Sequence, residues 1–236
     1  MIMDKKPIDI PYFGPKGTQM GDGRMNARSA ANNGEAIYDC IAGYVPDSGT
    51  VLELASGTGQ HIAELASRHS KVNWQPSDVI DERMPSINAW RKHAGVDNLL
   101  APILLDACGD WHEKLADDIK LIHVANLFHV ITAEAALKVI RGVAGALAQG
   151  GYFFIYGPFR VGGKFRSDTD EAFHAGLTGK HHAVGYKDLE WMQAELEAVG
   201  LGFCDLHEMP ANNLVLVVQK GDGSSLSDEC FSPRIS

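Results

Sequence analysis

The stretch VLELASGTGQHIAEL, residues 51–65, decides the fold of this chain. It begins as a short, mostly apolar run that indicates a buried β-strand, and after Gly59 it has the spacing of an amphipathic helix. Gly57 and Gly59 lie between these two elements. A glycine-rich turn from the carboxyl end of a strand into a helix lets a ligand approach the backbone closely, because a Cβ atom would obstruct the approach. The stretch therefore predicts a ligand site at the carboxyl end of a central strand.

Outward from this turn, apolar runs alternate with helix-like segments, which is the order of βαβ units around a parallel sheet. The predicted strands are 50–55, 71–78, 99–107, 119–128, 151–159, 202–209 and 213–220. The last two are close enough in the chain to pair as a hairpin, which places an antiparallel strand on the sheet. Thr132 is expected to cap the helix before the fifth strand. The prediction is an α/β fold with a seven-stranded, mostly parallel sheet, helices on both faces and an antiparallel last strand.

The chain length of 236 residues favours a single domain with a full core. Residues 29–220 are predicted to form that domain. Residues 1–28 are rich in glycine and are expected to be a flexible segment or lid. Residues 160–187 are too long for a plain connection and are interpreted as an insertion or lid that carries one short helix. Residues 221–236 have little to bury and are expected to be disordered.

Composition narrows the classes of partner. Lys and Arg number 21 against 30 Asp and Glu, so the net charge of -9 repels a phosphate backbone, and no nucleic-acid partner is expected. No apolar run reaches the roughly 18 residues of a membrane span, so neither a membrane partner nor a location other than the cytoplasm is expected. The four cysteines are scattered and the histidines lack ligand spacing, which predicts reduced thiols and no metal site.

Two classes of cofactor use glycine-rich turns of this kind, and the spacing separates them. A dinucleotide oxidoreductase requires G-x-G-x-x-G, and Ile62 stands where the third glycine is needed. An NAD-linked function is therefore disfavoured. What precedes the helix is an acidic residue followed by small residues at alternate positions: Glu53, Ala55, Gly57 and Gly59.

This order resembles the E/D-x-G/A-x-G-x-G pattern of class I S-adenosylmethionine-dependent methyltransferases, with Ala55 in place of the commonest first glycine. The resemblance implies a Rossmann-like class I methyltransferase fold with S-adenosylmethionine as cofactor. Asp78 ends the second strand, where an acceptor-only carboxylate can accept hydrogen bonds from both ribose hydroxyl groups. Asp106 ends the third strand and, by the resemblance, lies beside the adenine. The alternatives stay open that Asp78 caps the next helix and that Asp106 begins a turn.

The resemblance implies a cofactor-binding set on the amino-terminal helix, the glycine turn and the next three strand ends. Its members are Asn33, Glu53, Ala55, Ser56, Gly57, Gly59, His61, Asp78, Asp106, Ala107 and Asn126.

Four longer signatures resemble a narrower group, a poorly characterised family of methyltransferase-like proteins found in bacteria and represented in vertebrates. They are ELASGTGQH (53–61), WQPSD (74–78), YGPF (156–159) and MPANN (209–213). The chain departs from that family in VGYKD (184–188), where the family usually has Trp-Gly-x-Arg-Asp. Because this departure falls in an expected substrate-side segment, substrate expectations transfer poorly.

Methyl transfer from a sulfonium is an in-line displacement, so the protein chiefly aligns a nucleophile and excludes water. In this fold the fourth strand ends beside the cofactor methyl, which makes Asn126 and His129 the first candidates. Asn126 is expected to hold the substrate or the methionine moiety, and His129 to act as base or hydrogen-bond donor. Tyr156 is a further hydrogen-bonding candidate. His129 as a capping or half-buried residue and Tyr156 as part of a strand-ending turn remain the alternatives.

The predicted function is a methyltransferase that acts on an oxygen, sulfur or nitrogen atom of a small-molecule acceptor, as a monomer or homodimer. The alternative is a protein that keeps the S-adenosylmethionine pocket as a non-catalytic binding or scaffold module. Asn212 and Asn213 are expected either to brace the pocket rim or to supply the positive φ of a tight turn.

Overall fold

The computed structural model describes residues 17–112, 115 and 119–221. The strands are β1 (Thr18–Gln19), β2 (Met25–Asn26), β3 (Thr50–Leu54), β4 (Asn73–Asp78), β5 (Ile103–Leu104), β6 (Ile119–Ala125), β7 (Tyr152–Arg160), β8 (Lys187–Asp188), β9 (Leu201–Glu208) and β10 (Asn213–Lys220). The α-helices are α1 (Arg28–Ile41), α2 (Gln60–Arg68), α3 (Met84–Ala94), α4 (Ala133–Ala146), α5 (Asp168–Thr178) and α6 (Leu189–Glu197).

The central sheet has the strand order β5-β4-β3-β6-β7-β10-β9. The pairs from β5 to β7 are parallel, and β10 runs antiparallel to both β7 and β9. This confirms the predicted α/β fold with an antiparallel last strand. The two-residue strand β8 adds to β7 outside this path and was not expected from the sequence. The order of strands reverses at β3, so its carboxyl end opens onto the crevice where open α/β sheets bind ligands.

Two apolar clusters fill the two faces of the sheet. One face is covered by α4 and α6, which bury residues such as Val139 and Met192 completely. The other face is covered by α1 and α2, whose Ile37 and Ile62 are equally buried. Helices therefore lie on both faces, as the alternating pattern predicted. Among the described residues, no helix combines the length and apolar character that crossing a membrane requires.

The third predicted strand is much shorter than its apolar run. Residues 99–107 contribute only β5 and one isolated bridge, from Leu99 to Trp74. Pro102 lies between these two contacts and has no N–H to donate to a ladder. Beyond β5 the chain turns, since Asp106 accepts hydrogen bonds from the N–H groups of Cys108 and Gly109. The run thus forms the edge of the sheet and the loop that follows it.

The segment predicted as an insertion, residues 160–187, carries α5 and returns to the sheet through β8. Its start is held by the MPANN turn, because Asn212 Nδ2 donates to Ser167 Oγ and to Asp170 Oδ2, both at 3.1 Å. Arg166 adds an ion pair to Glu208. The turn itself places Ala211 and Asn212 at φ of 57° and 58°. Asn212 therefore supplies the positive φ expected of the turn, whereas Asn213 has an ordinary φ of -76°. A role at the pocket rim stays a prediction for both.

The amino-terminal segment predicted as residues 1–28 lies partly outside the described residues. From residue 17 onward it forms the β1–β2 hairpin, which packs on the glycine turn and α3. Met25 N donates to Ser86 Oγ at 2.9 Å, and Ser86 Oγ donates to Thr58 O at 2.8 Å. Trp90 Nε1 donates to Met25 O. The predicted tail lies outside the described residues apart from Gly221.

The cap of α4 gives a test of the local structure. Thr132 has an extended backbone and its hydroxyl accepts from Ala135 N at 3.1 Å. We expect Thr132→Ala to lower the free energy of unfolding by about 1 kcal/mol, because the first turn of the helix loses a hydrogen-bond acceptor. Thr132→Ser keeps the oxygen and serves as the matched control. Urea unfolding at pH 7 measures the free energy of unfolding of both variants. Equal values for Thr132→Ala and Thr132→Ser would contradict the capping role of the Thr132 hydroxyl.

Candidate functional site

The glycine turn has the left-handed backbone that its sequence suggests. Ala55, Gly57 and Gly59 have φ of 54°, 60° and 90°. A Cβ on Gly59 would lie 2.9 Å from Ile87 Cα, so the packing of α3 requires a glycine here. A Cβ on Gly57 would meet the Arg83 Nη1 atom at 3.4 Å, with its next neighbour, Ala55 O, at 4.0 Å. The close approach of a ligand to both glycines stays a prediction.

Ala55 carries strain that the usual glycine would avoid. A left-handed backbone costs an L-residue roughly 1–2 kcal/mol. Ser56 fixes this conformation, because its N–H donates to Ser77 O at 2.8 Å and its hydroxyl accepts from Ser77 N at 3.1 Å. Backbone strain that the surroundings enforce in this way is typical of ligand sites.

Asp78 joins the end of β4 to the glycine turn. Its side chain is 2% exposed, and Oδ2 accepts from Gly57 N at 2.8 Å. Oδ1 accepts from Ile80 N at 2.9 Å, which forms a turn after the strand. Arg83 Nη1 lies 3.2 Å from Oδ2 and completes an ion pair. Asp78 thus lies at the glycine turn, as predicted, and also caps the turn that follows it.

A buried polar cluster lies beneath the turn, at the carboxyl ends of β3, β6 and β7. Asn33 Oδ1 is 3.0 Å from His61 Nε2, and the Asn33 side chain lies close enough to Tyr156 to oppose part of the effect of burial on its pKa. Burial lowers the pKa of His61 to about 4 and raises the pKa of Tyr156. The predicted residues Asn33, His61 and Tyr156 are therefore brought together by helices α1 and α2 and strand β7.

Glu53 belongs to the same cluster and has a partner that the sequence did not indicate. Its Oε1 atom lies 3.4 Å from His123 Nδ1, on the neighbouring strand β6. Both residues are buried, and Glu53 Oε2 has no hydrogen-bond partner among the described residues. A buried carboxylate oxygen without a donor is energetically costly, so Glu53 Oε2 requires a donor from outside the described residues. The signal in the sequence was one histidine inside the apolar run 119–128.

Asp106 and Ala107 lie at the far side of the turn, beyond β5. Asp106 Oδ1 accepts from Cys108 N at 2.9 Å, which is the turn role kept open for it. Ala107 O accepts from Trp111 Nε1, which fixes the loop against the core. The structure does not connect these two residues to the buried cluster. Val79, which follows Asp78, is an apolar residue that is 40% exposed and that the sequence analysis did not single out.

Asn126 and His129 follow β6 and point to different surroundings. Asn126 adopts a left-handed φ of 61°, and its N–H donates to Tyr156 O at 2.9 Å. His129 lies in a 3-10 turn, Phe128–Val130, and its ring is 6.0 Å from Phe173 and 6.2 Å from Tyr186. The backbone of Asn126 therefore pairs with β7 at Tyr156, whereas the ring of His129 faces the insertion.

Burial governs the proton chemistry around His129. Burial, with the charge of Lys187 as a second cause, lowers the pKa of His129 to about 4. Its Nδ1 atom is buried and has no hydrogen-bond partner within the described part of the chain. Lys187 itself is buried and donates to the carbonyls of Ile131 and Gly185, and burial lowers its pKa to about 8. Lys187, another residue missed from sequence, ties the His129 turn to the insertion.

Solved structures with a similar fold include several proteins that are named as methyltransferases. An O-methyltransferase family protein from Burkholderia thailandensis matches 80% of this chain with a TM-score of 0.68 at 17% identity. Human N-acetylserotonin methyltransferase in complex with SAM matches 82% with a TM-score of 0.65 at 14% identity. An O-methyltransferase family 2 protein from Planctomyces limnophilus, in complex with apigenin, matches 84% with a TM-score of 0.65 at 14% identity.

These similarities establish a methyltransferase-like fold. The chain spans 56%, 53% and 63% of the lengths of these three proteins, respectively. A family model matches residues 24–220 of the present chain, from the β1–β2 hairpin to the end of β10. The chain belongs to the family described as "Protein of unknown function (DUF938)".

Proposed function

We propose that this protein is an S-adenosylmethionine-dependent methyltransferase that acts on an oxygen, sulfur or nitrogen atom of a small molecule. The observation that carries the proposal is the bond from Gly57 N to Asp78 Oδ2 at 2.8 Å. It places a carboxylate beside a glycine backbone at the carboxyl end of β3, next to the point where the strand order reverses.

Two features of the residues present fit the cofactor. The nearest neighbour of a Cβ on Gly57 would be the Nη1 atom of the flexible Arg83 side chain, at 3.4 Å. The space beside the Gly57 backbone is therefore not filled by the backbone of other described residues at a distance shorter than the 4.0 Å to Ala55 O. Glu53 Oε2 is a buried acceptor without a donor, and an ammonium group would satisfy it. We infer that Asp78 holds the ribose, that Asp106, Ala107 and Val79 flank the adenine, and that Asn33, Glu53 and His61 hold the amino-acid end.

The bound cofactor would supply an electrophilic methyl group on a sulfonium. The protein's part is to align the acceptor with that group and to exclude water. Asn126 is proposed to hold the substrate or the methionine moiety, supported by its fixed left-handed backbone at the end of β6. Tyr156 is proposed to orient Asn33 from the strand beside it. The insertion at residues 160–187 is proposed to close over the acceptor.

His129 is proposed to contact the acceptor as a base or hydrogen-bonding group. Its pKa of about 4 leaves the imidazole neutral near pH 7, so it is able to accept a proton. General bases work best when their pKa lies near the operating pH. The low value therefore favours a hydrogen-bonding role over strong general-base catalysis.

One observation favours the alternative of a non-catalytic binding protein. Asp78 is nearly fully buried, and its carboxylate already accepts from Gly57, Ile80 and Arg83. A carboxylate that is buried and already hydrogen-bonded is consistent with a protein that binds a nucleoside slowly, or that holds it permanently without catalysing a reaction. Release of S-adenosylhomocysteine with any member of a panel of oxygen, sulfur and nitrogen acceptors would exclude this alternative.

Cofactor binding is tested with two matched glycine variants. Gly57 and Gly95 have φ of 60° and 63°, so Gly57→Ala and Gly95→Ala carry a similar backbone strain of roughly 1 kcal/mol. Gly95 ends α3, and a Cβ there would meet nothing within 4 Å. We expect Gly57→Ala to weaken S-adenosylhomocysteine binding by at least about tenfold and Gly95→Ala to leave it unchanged. Isothermal titration calorimetry measures both dissociation constants.

Equal binding by the two glycine variants would contradict the role of the Gly57 backbone. Lack of binding of either S-adenosylmethionine or S-adenosylhomocysteine to the unmodified protein, even at millimolar concentration, would defeat the proposed function.

The role of His129 is tested with an acceptor that the protein methylates. We expect His129→Gln to lower the maximal rate by about 10-fold if the ring donates a hydrogen bond and by about 100-fold if it is the base. Cofactor binding should not change. His93→Gln, at an exposed histidine of α3, is the control. S-adenosylhomocysteine release measures the rate, and an unchanged maximal rate for His129→Gln would remove His129 from the mechanism.

A further inference from the structure

The ion pair between Arg83 and Asp78 lies on the face of the glycine turn. The Arg83 side chain is 15% exposed, and its Nη1 atom is 3.2 Å from Asp78 Oδ2. The same nitrogen would lie 3.4 Å from a Cβ on Gly57. Arg83 therefore covers both the carboxylate and the glycine backbone to which the proposed function assigns the nucleoside.

The acceptor capacity of Asp78 is nearly used up in this arrangement. An ionised carboxylate offers about four lone-pair positions. Within the part of the chain that the structure describes, Asp78 accepts from Gly57 N, Ile80 N and Arg83 Nη1. Roughly one position remains, whereas the two hydroxyls of a ribose donate two hydrogen bonds. At least one of the present donors must leave before a ribose diol is bound by this carboxylate.

The three donors differ in how easily they move. Gly57 N and Ile80 N are backbone groups, and each is held in a turn that includes further hydrogen bonds. The guanidinium of Arg83 ends a long side chain, which changes position by rotation about side-chain bonds alone. Arg83 is therefore the donor that a ribose displaces at the least structural cost.

We propose that Arg83 is a displaceable counter-ion of Asp78, which occupies the ribose position in the ligand-free protein and moves away when the diol binds. This inference rests on the proposed function and adds a residue that sets its affinity. Because the ion pair must break before the diol binds, Arg83 weakens cofactor binding. It also keeps a buried carboxylate neutralised while the site holds no ligand.

Arg83→Met tests the proposal, since methionine keeps an unbranched apolar stem and has no donor. We expect this variant to bind S-adenosylhomocysteine with a dissociation constant about tenfold lower than that of the unmodified protein. Lys92→Gln removes one exposed positive charge from α3, the helix that begins directly after Arg83, and should leave the constant unchanged. The 2′,3′-dideoxy analogue of S-adenosylhomocysteine has no diol, so its binding should not gain from Arg83→Met.

Equal or weaker binding of S-adenosylhomocysteine by Arg83→Met would overturn the proposal, as would an equal gain with the dideoxy analogue. If the variant does not fold, a crystal structure of the unmodified protein with S-adenosylhomocysteine decides the matter. A guanidinium more than about 4 Å from the Asp78 carboxylate supports displacement. A guanidinium still bonded to Asp78 beside a bound diol refutes it. Should the unmodified protein bind no S-adenosylhomocysteine, the proposed function itself fails and this inference fails with it.

Discussion

The structure around the site depends on the Asp78 carboxylate, which links two strand ends through one hydrogen bond to Gly57 N. That bond holds the turn after β3 against the end of β4. The bond is partly buried and its acceptor is a carboxylate, and hydrogen bonds to carboxylates are among the stronger ones that a protein makes. The left-handed backbone at Ala55 and Gly57 is held in place by the same contact and by the bonds of Ser56 to β4. A single charged group thus fixes both the shape and the electrostatics of the crevice.

The polar cluster beneath the turn shows how a buried site is assembled from distant parts of the chain. Asn33 comes from α1, His61 from α2 and Tyr156 from β7, and Asn33 Oδ1 lies 3.0 Å from His61 Nε2. The low pKa of His61 keeps its ring neutral near pH 7. Glu53 Oε1 lies 3.4 Å from His123 Nδ1, whereas Glu53 Oε2 accepts no hydrogen bond from the described residues.

Periodicity and turn chemistry were enough to predict the order of elements, the antiparallel last strand and the cap at Thr132, since these depend on local sequence. The length of β5 was not predictable, because an edge strand gains little from pairing and Pro102 interrupts it. The packing requirement at Gly59 could not be predicted, because Ile87 of a helix packed across the turn is a tertiary contact. His123 and Arg83 escaped notice for the same reason. Each acquires its partner only when neighbouring elements fold together.

The position of β10 determines when the sheet is completed during protein synthesis. This strand enters between β7 and β9 and is also preceded by the turn that holds the start of the insertion. During synthesis on the ribosome, β7 and β9 each present an unpaired edge until Asn213–Lys220 emerges. The carboxyl-terminal half of the sheet is therefore completed only after translation of almost the whole family-matched segment. Premature termination before this strand would leave unpaired edges on β7 and β9, and unpaired strand edges favour aggregation.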